Sequence, residues 1–255
     1  MQDSLTMKSL RLSGTAFLLG SALWVTNMPA ALPQATLTLE QRITRLEDIR
    51  ALQNLLGYYE EYQSALQFDR VVPLFALEAS DVRWEPGPGA WIGAHDVRAA
   101  LMSQQHQEND PQWARIHSGE MHVHTLATPI IVIADDGQTA KATFDSPGLE
   151  TLSGIGHKPD ARRGWCRYGV DFLKTDTGWK IWHLHVYGVI FSPANKSWVD
   201  APGFPPPPKA TDVGGEWPKP TRPQSDVWIY SGHGTPPLLP RPPEPYRTFA
   251  ETFSY

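Results

Sequence analysis

The chain contains a single cysteine, Cys166. It cannot close an internal disulfide, and no paired-cysteine spacing offers a metal centre. A basic cluster is also missing. Twenty-two Lys and Arg stand against 27 Asp and Glu, for a net charge of −5, which leaves no electrostatic footprint for nucleic acid. There is no internal repeat, no Walker loop, no Gly-x-Ser-x-Gly and no His-Glu-x-x-His. Those absences remove P-loop, serine-hydrolase and zincin chemistry from consideration. What remains is a globular composition, 41% apolar and 19% charged, biased toward proline and aromatics. At 255 residues it is long enough for one large domain or two small ones.

One long apolar run stands out, from Leu12 to Val25, preceded by Lys8 and Arg11. It is too short and too interrupted by Gly and Ser for a stable membrane span. It fits a secretory signal peptide over residues 1–35, with Met7 as a plausible start and small-residue patterns at Pro29-Ala30-Ala31 and Pro33-Gln34-Ala35. The expected destination is periplasmic or secreted.

From Glu40 to Leu66 apolar residues recur at three- and four-residue steps, through Ile43, Leu46, Leu52, Leu56, Tyr59 and Tyr62. That is one face of a long helix. A short helix ends near Leu77, a strand runs from Val82 to Glu85 into Pro86-Gly87-Pro88-Gly89, and a third helix covers Ala94 to Gln107. Strands follow: Glu120 to Ile133, Thr139 to Leu152 across an Asp135-Asp136-Gly137-Gln138 turn, Trp165 to Lys174, and Trp179 to Phe191. Helices followed by an antiparallel meander give an α+β fold.

Residues 192–255 differ in kind. They hold 15 of the 24 prolines, yet also Trp198, Phe204, Trp217, Trp228, Tyr230, Tyr246, Phe249, Phe253 and Tyr255. Disordered proline-rich chain seldom keeps so many rings. The expectation is an extended strap whose rings, Trp217, Trp228 and Tyr246 among them, dock on the domain or on a neighbouring subunit.

The order of elements over residues 43–190 resembles the SnoaL-like proteins of the NTF2-like superfamily. The resemblance rests on Ile43 to Tyr59, Phe75, Asp81-Val82-Arg83-Trp84-Glu85 and Trp91 to Leu101. It continues through His124 to Val132 with a His-x4-Pro strand, Asp136-Gly137-Gln138-Thr139-Ala140, Tyr168, and Gly178-Trp179-Lys180-Ile181. It implies a cone over residues 36–191, three helices on a curved antiparallel sheet, enclosing one small-molecule cavity. The superfamily spans several chemistries, so the likeness speaks to fold more than to reaction.

Strand alternation puts Trp179, Ile181, His183, His185 and Tyr187 on one face, and His122 with His124 on another shared face. In the family the Trp and Ile of the last strand face the helices, so His183, His185 and Tyr187 are expected inside. Tyr59 and Tyr62 share the helix stripe. The catalytic candidates are His124, His185, Tyr59 and Tyr62; the substrate-binding candidates are His122, His183, Tyr168, Tyr187 and Trp91. The family's helix Asp falls here at Ser64. Glu60 or Glu61 is one replacement; Asp145, Glu150 and Asp171 are others. The two His-x-His pairs could in principle supply imidazoles to zinc or iron. The first and last strands of a four-strand meander, however, lie about 14 Å apart at roughly 4.8 Å per strand. No metal and no cofactor are expected.

The resemblance implies a cofactor-independent lyase, eliminating water or formaldehyde from a hydroxylated aromatic, as scytalone-like dehydratases and lignin-dimer formaldehyde lyases do. A histidine would remove the proton and a tyrosine would assist the departing oxygen. An isomerase or cyclase of polyketide or steroid type, and a non-catalytic exported carrier, are the alternatives. The expected partner is a small aromatic substrate, and the expected assembly a homodimer or homotrimer.

Overall fold

The computed structural model describes residues 37–255, apart from 88, 106, 108, 153–158, 201–217 and 224–229. The expected signal segment, Trp217 and Trp228 lie outside the described residues. Helix α1 spans Leu39–Ser64. Its first half is exposed at Leu39, Ile43 and Leu46; its second half buries Leu52, Leu55, Leu56, Tyr59 and Glu60. Leu66 follows in the left-handed region, at φ 54°, where helices commonly end. Short α2 (Phe68–Val71) leads to β1 (Arg83–Glu85), β2 (Gly89–Ile92) and α3 (Ala94–Met102). Helix α3 is shorter than its pattern suggests. A fourth helix, α4 (Pro111–Ile116), follows, opened by the Asp110 side chain accepting from the Gln112 amide and by Pro111 in its first turn.

The rest of the framework is β3 (Met121–His124), β4 (Ala127–Ile133), β5 (Thr139–Leu152), β6 (Asp160–Thr175) and β7 (Gly178–Pro193). With β8 (Arg222–Pro223) they form a sheet ordered β3-β5-β6-β7-β1-β2-β8, and β4 also pairs with β5. Pairing is antiparallel except between β1 and β7. The helices pack on one face of this curved, unclosed sheet, as the α+β reading requires. The single strand expected over Glu120 to Ile133 is two, broken at Thr125–Leu126, with Thr128 at φ 50°.

The inner face is apolar. Ala140, Ala142 and Phe144 of β5 stand opposite Phe172, Val170 and Tyr168 of β6, which meet Ile181, Leu184 and Val186 of β7. Asp48 ties α1 to the sheet's end, accepting from Trp179 Nε1 at 2.7 Å and from Lys174 Nζ at 2.9 Å.

The face expected for β7's second half is wrong, and the cause is local. Phe172 pairs with Ile181, but Asp171 pairs with His183, so Trp182 is an extra residue in β7. Such a bulge shifts the alternation by one. His183, His185 and Tyr187 therefore point to the outer face, while Leu184 and Val186 take the inner one. Trp182 is held by its Nε1 bond to Asp81, at 2.8 Å.

The outer face carries a buried polar layer beneath the C-terminal segment. Lys141 and Asp171 are fully buried and paired. Asp171 also accepts from His183 Nδ1, Ser254 Oγ and the Tyr255 amide, at 2.9, 3.0 and 3.0 Å. Burial opposes ionisation of Asp171, but His183 and Lys141 outweigh it and hold the carboxyl below its usual range. The Lys141 ammonium lies 4.3 Å from the Phe253 and Tyr255 ring centroids, a favourable cation–π geometry. Gly169 leaves room for Tyr255; a Cβ there would sit 2.4 Å from its ring. Tyr246 is buried and its hydroxyl lies 3.1 Å from Thr139 Oγ1. Lys141→Met should cost about 3 kcal/mol, because it strands a buried carboxylate. Thermal denaturation together with proteolysis of the last ten or so residues checks this. A loss below about 1 kcal/mol would mean that the pair does not fasten the segment.

Candidate functional site

A 420 Å³ cavity opens on the inner side of the sheet, between α1 and the β3–β4 break. Arg50, Gln53, Asn54, Gly57, Glu60 and Glu61 line it from the helix. His124, Thr125, Leu126, Pro129 and Phe144 line it from the sheet. The volume is that of a small-molecule site. The wall is unusual in carrying a buried carboxyl, Glu60, and a partly buried imidazole, His124.

Glu60 lies four residues beyond Leu56 and eight beyond Leu52, so helical phase puts a carboxyl into the apolar stripe. It is 5% exposed. Neither oxygen has a hydrogen-bond partner among the described residues. The Tyr168 phenol interacts with it electrostatically, outside normal hydrogen-bond geometry. Burial pushes its pKa up from 4.5 to about 7, against the lowering effect of His124 and Tyr168. A buried carboxyl with no well-formed hydrogen bond, and only Tyr168 and His124 acting on it, needs an explanation. A neutral acid facing a ligand is one.

His124 ends β3, with its imidazole over Gly148 of β5. A Cβ at Gly148 would lie 2.5 Å from the ring, so only glycine admits it. His124 Nε2 meets Glu150 Oε1 at 2.8 Å, and Nδ1 lies 3.5 Å from Ser146 Oγ. A carboxylate against Nε2 fixes the proton there and leaves Nδ1 as the basic nitrogen. Burial lowers the basicity of His124, but Glu150 and Glu60 outweigh it and the net shift is upward. Outside this pair, Glu150 approaches His122 Nδ1 at 3.8 Å, and His122 Nε2 meets Glu120 at 2.6 Å. Burial works against ionisation of Glu120, but bonds from His117 and His122 hold it down to about 2. Gly148→Ala should move the imidazole and lower turnover about 100-fold without unfolding the chain. Unchanged turnover, with unchanged circular dichroism, would show that the ring position is immaterial.

The remaining candidates are dispersed. Tyr59 is buried behind the cavity, accepts from Trp84 Nε1 at 2.9 Å and packs edge-on against Phe75. Burial, reinforced by Glu60, raises its pKa well above the ordinary phenol value. Tyr168 is raised for the same two reasons. Tyr62 stacks on Tyr58, 5.8 Å between centroids, under the Arg70 guanidinium. Trp91 packs against Trp84 in the core and donates to the Pro218 carbonyl at 3.1 Å. His183 belongs to the Asp171 layer on the outer face. His185 stacks on Tyr187 there, 3.9 Å between centroids. Burial, then the charges of Arg83 and Arg222, press its basicity down to about 3. The His122/His124 and His183/His185 pairs sit three strand positions apart and on opposite faces, so they do not converge.

Two inner-face groups had no sequence signal, Ser146 and Cys166. They pair across β5 and β6, and burial, then Glu150 and Glu60, pushes the Cys166 thiol up to about 12. Gly57 is a third. It sits inside α1, where glycine costs about 0.5–1 kcal/mol relative to alanine, and nothing lies within 4 Å of where its Cβ would be. A shallower groove of 300 Å³ lies on the outer face near Asp145, Trp165, Arg167 and Tyr230. Asp145 there is already bound by Arg167 at 3.0 Å and Trp165 at 3.2 Å. That groove offers stacking surface rather than an acid–base pair.

Among solved structures, the chain is similar to a candidate scytalone dehydratase of Novosphingobium aromaticivorans. They share 12% identity, with 61% of this chain and 93% of that one covered and a TM-score of 0.48. It is also similar to the hexachlorocyclohexane dehydrochlorinase LinA-type3 of Novosphingobium barchaimii LL02, at 18% identity, 65% and 99% coverage and a TM-score of 0.47. No curated protein matches significantly. The family model for the SnoaL-like domain matches residues 44–185, more than half of the chain and every residue that lines the cavity. The chain therefore belongs to the SnoaL-like domain family of NTF2-like proteins.

Proposed function

We propose that the protein is a cofactor-independent lyase acting on a hydroxylated aromatic compound in the cavity between Glu60 and His124. The observation that carries this reading is the pairing of a carboxyl that is half neutral near pH 7 with an imidazole polarised by Glu150. Catalytic acids and bases work best with pKa values near the working pH. A hydrophobic carrier would need neither group in its wall.

In a dehydration, His124 Nδ1 takes a proton from carbon. The C–H electron pair becomes the new C=C bond and the C–O bond breaks. Glu60 gives its proton to the departing hydroxyl, which leaves as water. In a formaldehyde elimination, His124 takes the proton of a primary hydroxyl. The O–H pair becomes the C=O of formaldehyde, the C–C bond breaks, and the carbon left behind receives the Glu60 proton. In both, the proton on His124 returns to Glu60 before the next turnover. Export, the aromatic nature of the substrate and a homo-oligomeric assembly belong to the same proposal.

The test is incubation with a panel of lignin-derived dimers and hydroxylated polyketide-like aromatics. Mass spectrometry reads loss of one water or one formaldehyde. Loss that disappears in both Glu60→Gln and His124→Ala supports the lyase. Rearranged product of unchanged mass, abolished by the same two variants, would replace it with an isomerase or cyclase.

A further inference from the structure

We infer that the cavity is built for an elongated two-ring aromatic anion, with Arg50 holding its charged end and Gly57 providing the bed on which a ring lies. The inference rests on the cavity reading above and extends it to the ligand's shape and charge.

Arg50, Gln53, Asn54, Gly57 and Glu60 fall at steps of three and four along α1, so they form one stripe down the cavity wall. Ten residues separate Arg50 from Glu60, about 15 Å of helix axis at roughly 1.5 Å per residue. A single ring with its proton-transfer centre at Glu60 does not span that length; two linked rings do. Arg50 is exposed at the rim of the cavity and makes no hydrogen bond or ion pair among the described residues, so its guanidinium is available to a ligand. Its guanidinium is planar, always charged and suited to a carboxylate fork. Glu61 lies at the opposite end of the stripe, beside Glu60, and would repel an anion placed there.

Gly57 lies between these ends. A central helix position normally favours a side chain, and there is open space for one. No turn, positive φ or close approach of neighbouring protein explains the glycine. Its effect is to leave a flat strip of backbone facing the cavity, and a side chain of any size would occupy ligand space. The geometry thus orients the ligand: reacting end at Glu60 and His124, middle over Gly57, anion at Arg50.

The test measures binding rather than turnover, so its failure is separable from failure of the lyase reading. Biphenyl-4-carboxylate and its neutral isostere biphenyl-4-carboxamide are titrated calorimetrically into the full chain. The wild type should bind the carboxylate at least about 10-fold more tightly. Arg50→Gln should bring the two within about 2-fold of each other. Gly57→Ala should weaken both probes at least about 10-fold without lowering the melting temperature, since alanine is the better helix former. Gly57→Leu should weaken them further. Equal affinity for the two probes, no binding of either, or a preference that survives Arg50→Gln would overturn the anion assignment. Unchanged affinity in Gly57→Ala would overturn the ring bed.

Discussion

Glu60→Gln is expected to make the protein more stable at pH 8 and nearly inactive. Glu60 has a folded-state pKa of about 7, against 4.5 in the reference state. The folded state therefore holds the proton more tightly than the unfolded one. Its contribution is fully present below pH 4.5 and is lost as pH rises toward and through about 7. The shift corresponds to about 3 kcal/mol of lost stability by pH 8. Glutamine stays neutral, keeps nearly the same shape and escapes that loss. Urea denaturation of the two proteins at pH 5 and pH 8 reads the effect. They should be close at pH 5, and the variant should be about 2–3 kcal/mol more stable at pH 8. Turnover should fall at least about 100-fold, because the amide cannot supply the proton. Equal stability at both pH values would mean that Glu60 ionises normally. The exchange of stability for activity is familiar at functional sites.

His124→Ala should lower turnover by about 100-fold or more while leaving a folded protein. His124 is partly buried at the end of β3, and its removal leaves Glu150 with His122 as a neighbour at 3.8 Å. The fold therefore keeps its sheet, and circular dichroism should be unchanged. His185→Gln is the informative contrast. That residue lies on the far face of the sheet, stacked on Tyr187, so its turnover should stay within about 3-fold of the wild type. The pH profile separates the roles further. Loss of the Glu60 proton should reduce activity above about pH 7 in the wild type. A large loss in His185→Gln, with none in His124→Ala, would transfer the chemistry to the outer face.

Much of the framework is legible in the residues. The stripe of α1, the Asp136-Gly137 turn and the alternation of β5 and β6 follow from elementary geometry, and the long elements lie within a few residues of their expected bounds. Three features escaped that reasoning. The bulge at Trp182 leaves no mark in the local pattern, because His-Leu-His-Val-Tyr alternates equally well in either phase. Only the pairing with Asp171 and Phe172 reveals the shift. The break between β3 and β4 at Thr125–Leu126 sits in a segment rich in β-branched residues, where Pro129 was the signal passed over. Glu60 is named with Glu61 as a replacement for the family's helix Asp, but its raised pKa depends on depth, which sequence records only as a carboxyl four residues beyond Leu56. That signal was available: a charged residue on an apolar stripe is costly unless it stays neutral or finds a partner. His124 is singled out by contrast through its resemblance to the family's His-x4-Pro strand, and it lines the cavity.

The strap shows the same division. Its ring count raises the expectation of docking, and Tyr246 is buried with its hydroxyl 3.1 Å from Thr139 Oγ1. The interaction that holds the end of the chain, Lys141 beneath Phe253 and Tyr255, could not be inferred, because a lysine in a strand reads as a solvated residue.

The central claim is that Glu60 still holds its proton in about half of the molecules at neutral pH. Carbon-13 NMR of the glutamate side-chain carboxyls, recorded across pH 3 to 9 with Glu60→Gln to assign the resonance, measures that directly. A midpoint near 7 for Glu60 is the expected result; a midpoint below about 5, in the ordinary glutamate range, would contradict it.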